Sequence, residues 1–241
     1  MKRATLVLLI FGAISNLRAD TIYQFNLLDV RIQGIRDVLS GCTATAANDL
    51  GIIVGVCNNP AGDAVAWSYD GRRFTEIDVN HGFKMAGDRP VFTATPHGIN
   101  NNGVITGWLN VQLPGSLQLL SFMREGHSTL ILGFPNATLT EANGINDYGE
   151  IVGQYRDGAK IYHGFRYDSI TGKYASIERL GAQGELGGFW LCDINNNGQM
   201  VGNTYDVVGS DLIAHGFLID KNGIQRIDVP GAAHTYLFGI K

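Results

Sequence analysis

The feature of this sequence that most constrains its fold is a motif that occurs four times at a nearly fixed spacing. The motif joins an asparagine-rich turn to a run such as Ile-Val-Gly, and its shared glycine lies at positions 51, 103, 149 and 198, in steps of 52, 46 and 49 residues. A period of about 20–50 residues is typical of solenoids and propellers. The four repeats cover about residues 38–80, 92–137, 139–181 and 188–232.

Each repeat has the pattern of four short strands. Strand A ends in Gly-Ile-Asn or a close variant, and a tight turn of Asn, Asp and Gly follows, residues that tolerate positive φ. Strand B is the β-branched run, and strand C centres on an aromatic residue at Trp67, Phe122, Phe165 or Phe217. Strand D alternates polar and apolar residues, which predicts a half-buried outer strand, whereas A and B are expected near a central axis.

Four-stranded repeats of this length predict an all-β fold, a β-propeller built from blades of about 49 residues. One blade cannot bury both of its faces, so neighbouring blades must cover each other. The alternatives are a β-sandwich, which would not repeat so regularly, and a parallel β-helix, which usually has a shorter period.

The two ends of the chain suggest a fifth, split blade. Residues 22–30 match strand D, and residues 236–241 match the start of strand A. Uncovered strand edges are normally avoided in soluble proteins. We therefore expect four full repeats plus a partial blade. The favoured interpretation is an open or truncated ring of five or more blades, and the alternative is a closed four-bladed ring with spare strands.

The first 19 residues have the pattern of a secretory signal peptide. Lys2 and Arg3 precede an apolar run from Ala4 to Ile14, which is too short to span a bilayer, and cleavage is expected after Ala19. Residues 20–241 then form a single repeat domain with 15 basic and 22 acidic residues. This balance disfavours nucleic acid as a partner. We expect a secreted, periplasmic or cell-surface protein whose mature chain has no transmembrane segment.

The repeat resembles one known family. The combination of Gly-Ile-Asn-x-x-Gly-x-Ile-Val-Gly, His-Gly-Phe and Ile-Asp-Val-Pro-Gly-Ala is similar to the HAF-repeat family of extracellular bacterial proteins, over nearly all of the mature chain. His163-Gly164-Phe165 and His215-Gly216-Phe217 match the tripeptide that names the family, with Gly in place of Ala, whereas the first two repeats depart from it. The resemblance implies export and a propeller-like repeat, but it names no substrate.

The three cysteines predict one disulfide. If the first hairpin turns at Asn48-Asp49-Leu50-Gly51 and pairs residue 47 with 52, the same register places Cys42 opposite Cys57. Direct cross-strand neighbours are close to disulfide reach, and exported proteins retain disulfides. We expect a Cys42–Cys57 bridge and an unpaired Cys192, the alternative being two packed thiols.

Two patterns resemble ligand sites but favour a structural role. Asp193, Asn195 and Asn197 fit the start of a calcium loop, yet Thr204 stands where a bidentate acid is needed and the other repeats lack the aspartate, so a hairpin turn held by Asn side chains is favoured. His163 and His215 lie in separate repeats, which favours packing over catalysis or metal binding.

The function is predicted only as a class. No hydrolase, metalloprotease or nucleotide-binding motif is present, so we expect no enzyme activity, no cofactor and no catalytic residue. The favoured function is a binding or scaffold module for an unknown extracellular ligand, either a glycan or a protein. One alternative is a lectin-like propeller, in which Trp108, Trp190 and Tyr155 could stack on sugars and aromatic pairs would recur in blade pockets. The other is a secreted glycoside hydrolase or lyase, with acids converging at the mouth of the central channel.

Overall fold

A computed structural model of the protein describes residues 30–32, 35, 39–79, 91–113, 116–177 and 189–241. These residues contain sixteen strands in four antiparallel sheets of four, and the sheets are arranged as a four-bladed β-propeller. The all-β propeller predicted from the repeat is thus confirmed. The predicted signal peptide and most of the predicted strand at 22–30 lie outside the described residues.

Each sheet is one blade, and its strands A to D follow chain order from the axis outward. Blade 1 consists of β1 (Ser40–Ala47), β2 (Ile53–Asn58), β3 (Ala64–Tyr69) and β4 (Phe74–Glu76). Blade 2 consists of β5 (Val91–Ile99), β6 (Ile105–Leu113), β7 (Ser116–Glu125) and β8 (Ser128–Leu132). Blade 3 consists of β9 (Leu139–Ile145), β10 (Glu150–Arg156), β11 (Tyr162–Asp168) and β12 (Lys173–Ile177). Blade 4 consists of β13 (Phe189–Ile194), β14 (Met200–Val208), β15 (Asp211–Asp220) and β16 (Gly223–Ile227).

A glycine in strand B shapes every blade. It pairs with the buried aromatic of strand C and faces a register shift in strand A, where two residues oppose one. A Cβ on this glycine would lie between 1.9 and 2.2 Å from a strand A carbonyl oxygen. Only glycine therefore permits the β-bulge. The four glycines are Gly55, Gly107, Gly153 and Gly202.

An asparagine in the A–B turn ties each blade to the next. Its Oδ1 accepts two backbone N–H groups of its own turn, and its Nδ2 donates to the backbone carbonyl of the equivalent asparagine in the following blade, at 3.0–3.2 Å. We call these residues the asparagine ladder: Asn48, Asn100, Asn146 and Asn195. The last of them donates to the carbonyl of Lys241 at 3.3 Å.

The apolar core lies between adjacent blades, as expected for a propeller, and strand D is the exposed strand that its alternation predicts. One face of blade 1 packs against blade 2. Its other face is covered by Val30, Ile32 and Leu39, which pack with Trp67 and Phe74. Ile32 also forms a parallel bridge with Phe74.

The C-terminal segment, residues 236–241, takes the place of a fifth strand A without forming one. Amide and carboxylate side chains of blade 4 hold its backbone: Asn203 bonds both the N–H and the carbonyl of Leu237, and Asp193 accepts the N–H of Ile240 at 3.0 Å. Lys241 Nζ reaches Asp49 in the turn of blade 1. The predicted strand is wrong as secondary structure because these side chains, rather than a backbone ladder, hold the segment. A ring of five or more blades stays a prediction.

Candidate functional site: an axial pocket

A pocket of about 410 Å³ lies between the inner strands of the four blades, near the propeller axis. Its lining comes from strand A of all four blades, strand B of blades 2 and 4, and the C-terminal segment. The lining residues are Thr45, His97, Trp108, Asn143, Trp190, Cys192, Asn203, Tyr205, Tyr236 and Phe238. A concave site of this size with several convergent polar groups is the usual form of a small-molecule site.

The strand A bulge supplies one pocket residue from each blade. The residue three positions before the ladder asparagine is Thr45, His97, Asn143 or Cys192, and each lies at the register shift opposite the strand B glycine. Phe238 holds the same position relative to Lys241. Bulges commonly redirect a side chain next to a functional site. Five residues of the pocket wall therefore occupy equivalent positions in the repeat, and all five are of different types.

Aromatic rings form much of the wall. The rings of His97 and Trp108 stack with centroids 4.1 Å apart and an interplanar angle of 28°. On the opposite side, the ring of Tyr236 lies 6.4 Å from that of Tyr205 and 5.9 Å from that of Phe238. Flat apolar surfaces thus face the pocket from blade 2 and from the C-terminal segment.

Two polar atoms of the wall are buried without a hydrogen-bond partner in the part of the chain that the structure describes. They are Nε1 of Trp108, which can only donate, and Nε2 of His97, which can donate or accept. An unpaired buried polar group costs about 1–3 kcal/mol, so such groups are few in folded proteins. A ligand that hydrogen bonds to them would remove this cost.

The pocket wall carries no formal charge near neutral pH. Burial lowers the pKa of His97 to about 4, so its imidazole is neutral. Burial, followed by the nearby Asp193 charge, raises the pKa of the Cys192 thiol to about 12. The remaining lining groups are amides, hydroxyls and aromatic rings, so this wall favours a neutral ligand.

A hydrogen-bonded network fixes the amides of the wall. Asn143 Nδ2 donates to Gln154 Oε1 and to the carbonyl of Leu191, and Gln154 in turn donates to Glu141. Asn203 donates to the Cys192 sulfur at 3.3 Å as well as to the C-terminal segment. These contacts hold the polar groups in place before any ligand arrives.

Of the three aromatic residues considered for sugar stacking, the structure brings two to this pocket. Trp108 and Trp190 line it, whereas Tyr155 is buried in the blade, where its ring stacks on Phe134 at 3.7 Å. His97 and Phe238 were not among the residues that the sequence predicted for ligand binding. Both lie at the repeat position three residues before the ladder asparagine or Lys241, where the residue type differs in every copy. Such variation within a constant motif is the signal that could have indicated them, because a position required for packing would keep its residue type.

The three residues of the candidate calcium loop already serve the fold. Both carboxylate oxygens of Asp193 accept backbone N–H groups, from Ile194 and Ile240, and Asn195 belongs to the asparagine ladder. Asn197 donates its backbone N–H to Asn195. Within the described ranges, no three His, Cys, Asp or Glu residues are grouped as a metal site would require.

The histidines of the two His-Gly-Phe motifs pair with carboxylates in, or directly after, a neighbouring strand. His163 Nε2 lies 3.1 Å from Asp157, and His215 Nε2 lies 3.3 Å from Asp206, the equivalent residue of blade 4. His215 Nδ1 also lies 2.9 Å from Asp228. Neither histidine lines the pocket, so the repeated pair acts within the blades.

Acidic residues do converge at the mouth that carries the A–B turns. Asn101 Nδ2 bridges the carboxylates of Asp49 and Asp147, at 3.1 and 2.9 Å, and Asn196 also donates to Asp147. Backbone N–H groups of the same turns donate to the neighbouring side chains. These carboxylates are therefore engaged in contacts between blades.

The acids aligned at the C–D turns cap those turns. Asp70, Asp168 and Asp220 each accept the N–H of the residue two positions later, at 2.7–2.9 Å. Aspartate side chains commonly stabilise tight turns in this way.

A disulfide joins Cys42 and Cys57, with Cα atoms 4.0 Å apart, and Cys192 is unpaired. The register assumed at the turn was wrong by one residue, since Ala47 pairs with Ile53. The bulge between Ala44 and Ala46 restores the expected alignment, with Thr43 opposite Val56. A disulfide of this kind is typical of extracytoplasmic proteins. The described residues include no helix able to cross a bilayer.

Comparison with solved structures supports the fold. The chain is similar to an Agrobacterium tumefaciens protein assigned as TolB, with a TM-score of 0.54 and 11% identity over 84% of this chain and 68% of the other. It also matches the fucose-recognising, six-bladed lectin of Aleuria aurantia, with a TM-score of 0.37 and 9% identity over 76% of each chain. That score is too low to support an inference. No protein-family model and no curated protein sequence matches the chain.

Proposed function

We propose that the protein is an exported binding module whose small neutral ligand occupies the axial pocket. The observation that carries the proposal is the pair of unpartnered, buried nitrogens on two stacked rings of the wall, His97 Nε2 and Trp108 Nε1. The Cys42–Cys57 disulfide supports a location outside the cytoplasm. The signal-peptide pattern and the resemblance to HAF-repeat proteins agree with that location.

A binding role suits the chemistry of the wall better than catalysis does. The groups that face the pocket are neutral at physiological pH, and glycoside hydrolysis needs two carboxyl groups across a cleft. The acids at the mouth that carries the A–B turns, Asp49 and Asp147, already accept hydrogen bonds between blades. A lectin-like function is the second candidate, favoured by the position of Trp108 and Trp190 in the wall.

A pocket-filling substitution tests the proposal. Thr45 of blade 1 occupies the position that is equivalent to Phe238 of the C-terminal segment. Thr45→Phe therefore introduces a second phenylalanine into the wall and should obstruct the pocket. The matched control is Thr75→Phe on exposed strand D of blade 1. Purified residues 20–241 are titrated with the neutral fluorescent probe N-phenyl-1-naphthylamine and screened on a glycan array. We expect Thr45→Phe to weaken binding by about tenfold or more and the control to leave it unchanged. Equal binding by both variants would refute a pocket ligand.

A further inference from the structure

We propose that the axial pocket takes one ring of a neutral saccharide and that an adjoining aromatic platform takes the next ring. We call Tyr162 and Trp190 the rim platform. The inference rests on the proposed binding function and adds the ligand's chemical class and a second subsite.

The chemistry of the pocket wall suits a sugar ring. A purely apolar ligand would leave Trp108 Nε1 and His97 Nε2 unpaired, at the cost of two buried polar groups. An ion would meet no opposite charge among the lining groups. A sugar ring offers both a flat C–H face for the aromatic rings and hydroxyl groups for the two nitrogens.

The rim platform joins two neighbouring blades. Tyr162 begins strand C of blade 3 and Trp190 lies in strand A of blade 4, so the two rings meet across a blade boundary. Their centroids are 6.3 Å apart with an interplanar angle of 22°, and each residue is 37% exposed. The two rings are stacked and partly exposed, so an outer ring face of the pair can receive a second sugar ring.

The two subsites share one residue. Trp190 belongs to both the pocket wall and the rim platform, so its ring adjoins both subsites. The guanidinium carbon of Arg156 lies 6.0 Å from the Tyr162 ring centroid, which adds hydrogen-bond donors beside the outer subsite. A ligand of two or more linked rings fits this arrangement better than a single ring.

The test compares mono- and disaccharides. Neutral monosaccharides (glucose, galactose, mannose, fucose and N-acetylglucosamine) and their β1–4 and α1–6 disaccharides are titrated to about 10 mM by calorimetry, in parallel with N-phenyl-1-naphthylamine. We expect at least one disaccharide to bind about tenfold more tightly than its monosaccharide.

Matched variants assign the two subsites. Tyr162→Ala should weaken the disaccharide about tenfold and leave the monosaccharide unchanged, whereas Tyr148→Ala, an exposed tyrosine in the A–B turn of the same blade, should change neither. Trp108→Phe keeps the aromatic face and removes the N–H, so it should weaken both sugars. Its control is Trp67→Phe, which removes a buried, unpartnered N–H outside the pocket. Melting temperatures confirm that each variant is folded.

The outcomes separate this inference from the proposed function. Saccharide binding that Tyr162→Ala does not alter would overturn the rim subsite and leave the pocket function in place. Binding of the naphthylamine, blocked by Thr45→Phe, with no saccharide bound would overturn the ligand class alone. No pocket-dependent binding of any probe would overturn both.

Discussion

At the residue scale, one asparagine per repeat performs two tasks. Its carbonyl oxygen organises the A–B turn and its amide nitrogen joins the next blade, as Asn100 does with Asn102, Val104 and Asn146. Aspartate could perform only the first task because it has no donor. The repeat therefore requires the amide specifically, which explains why the motif reads Asn at this position four times.

Replacing Asn100 with aspartate should destabilise the protein by about 2–4 kcal/mol, because it loses a buried bond between blades and sets a carboxylate against the carbonyl of Asn146. Urea denaturation measures the change in the free energy of unfolding. Asn197→Asp, at an exposed position of the A–B turn of blade 4 where only the backbone N–H is bonded among the described residues, is the control and should cost less than about 0.5 kcal/mol. Equal costs would contradict the ladder's role.

Asp193 occupies a place where blades 2 and 3 have glycine, and burial raises its pKa to about 6. The unfolded chain ionises this group near its ordinary value of 3.8, so stability falls as pH rises from about 4 to 6 and the loss is complete above that range. Asp193→Asn should remove this slope without raising stability at pH 7, because its amide offers one oxygen in place of the two that accept the N–H groups of Ile194 and Ile240. Thermal melts between pH 4 and 8 measure it, and a parallel slope in the variant would refute the assignment.

At the element scale, the pocket depends on a local irregularity of strand A. The strand B glycine allows the bulge, and the bulge turns the following strand A residue toward the axis. The same glycine also leaves room for the strand C aromatic, as Gly202 does for Phe217. Core packing and pocket construction are thus coupled within each blade.

Gly153→Ala should be severely destabilising, by about 3 kcal/mol or more, because its Cβ would lie 1.9 Å from the carbonyl oxygen of Glu141. Gly158→Ala in the same blade meets no atom within 4 Å and should change stability by less than about 1 kcal/mol. Chemical denaturation of both variants measures the difference. A tolerated Gly153→Ala would show that the bulge can relax.

The Cys42–Cys57 disulfide closes a hairpin with a sequence separation of 15 residues. For a loop of this size, its loss should cost about 3 kcal/mol. Dithiothreitol should lower the melting temperature of the wild-type protein to that of the double variant Cys42→Ser/Cys57→Ser, and it should not affect the variant. Free Cys42 in a non-reducing peptide map would contradict the bridge.

At the scale of the whole molecule, the C-terminal segment links blade 4 to blade 1 and completes the pocket. It contributes Tyr236 and Phe238 to the wall, and Leu237 packs against Gly216 of strand C. The ladder of side-chain bonds continues through it, from Asn195 to the carbonyl of Lys241. Residues 236–241 are therefore expected to contribute both to ligand binding and to the stability of the ring.

Deleting residues 236–241 should lower the melting temperature by several degrees and weaken pocket binding about tenfold or more. Lys241→Met, which keeps the backbone contact with Asn195 and removes only the exposed ion pair with Asp49, should leave both nearly unchanged. Differential scanning calorimetry and probe titration measure the two effects. An unaltered melting temperature after deletion would show that the segment only rests on blade 4.

The sequence by itself determined the blade, because the strand pattern, the turn chemistry and the exposed strand D follow from local preferences that repeat four times. It also indicated the Cys42–Cys57 pairing, although a bulge corrected the register on which that pairing was based. The tertiary structure alone decided the pocket. His97, Cys192 and Phe238 are distant along the chain and unlike in chemistry, and only the ring arrangement brings their shared repeat position to one axis. Local pattern encodes which strand a residue joins, whereas contacts between blades decide which side chains meet.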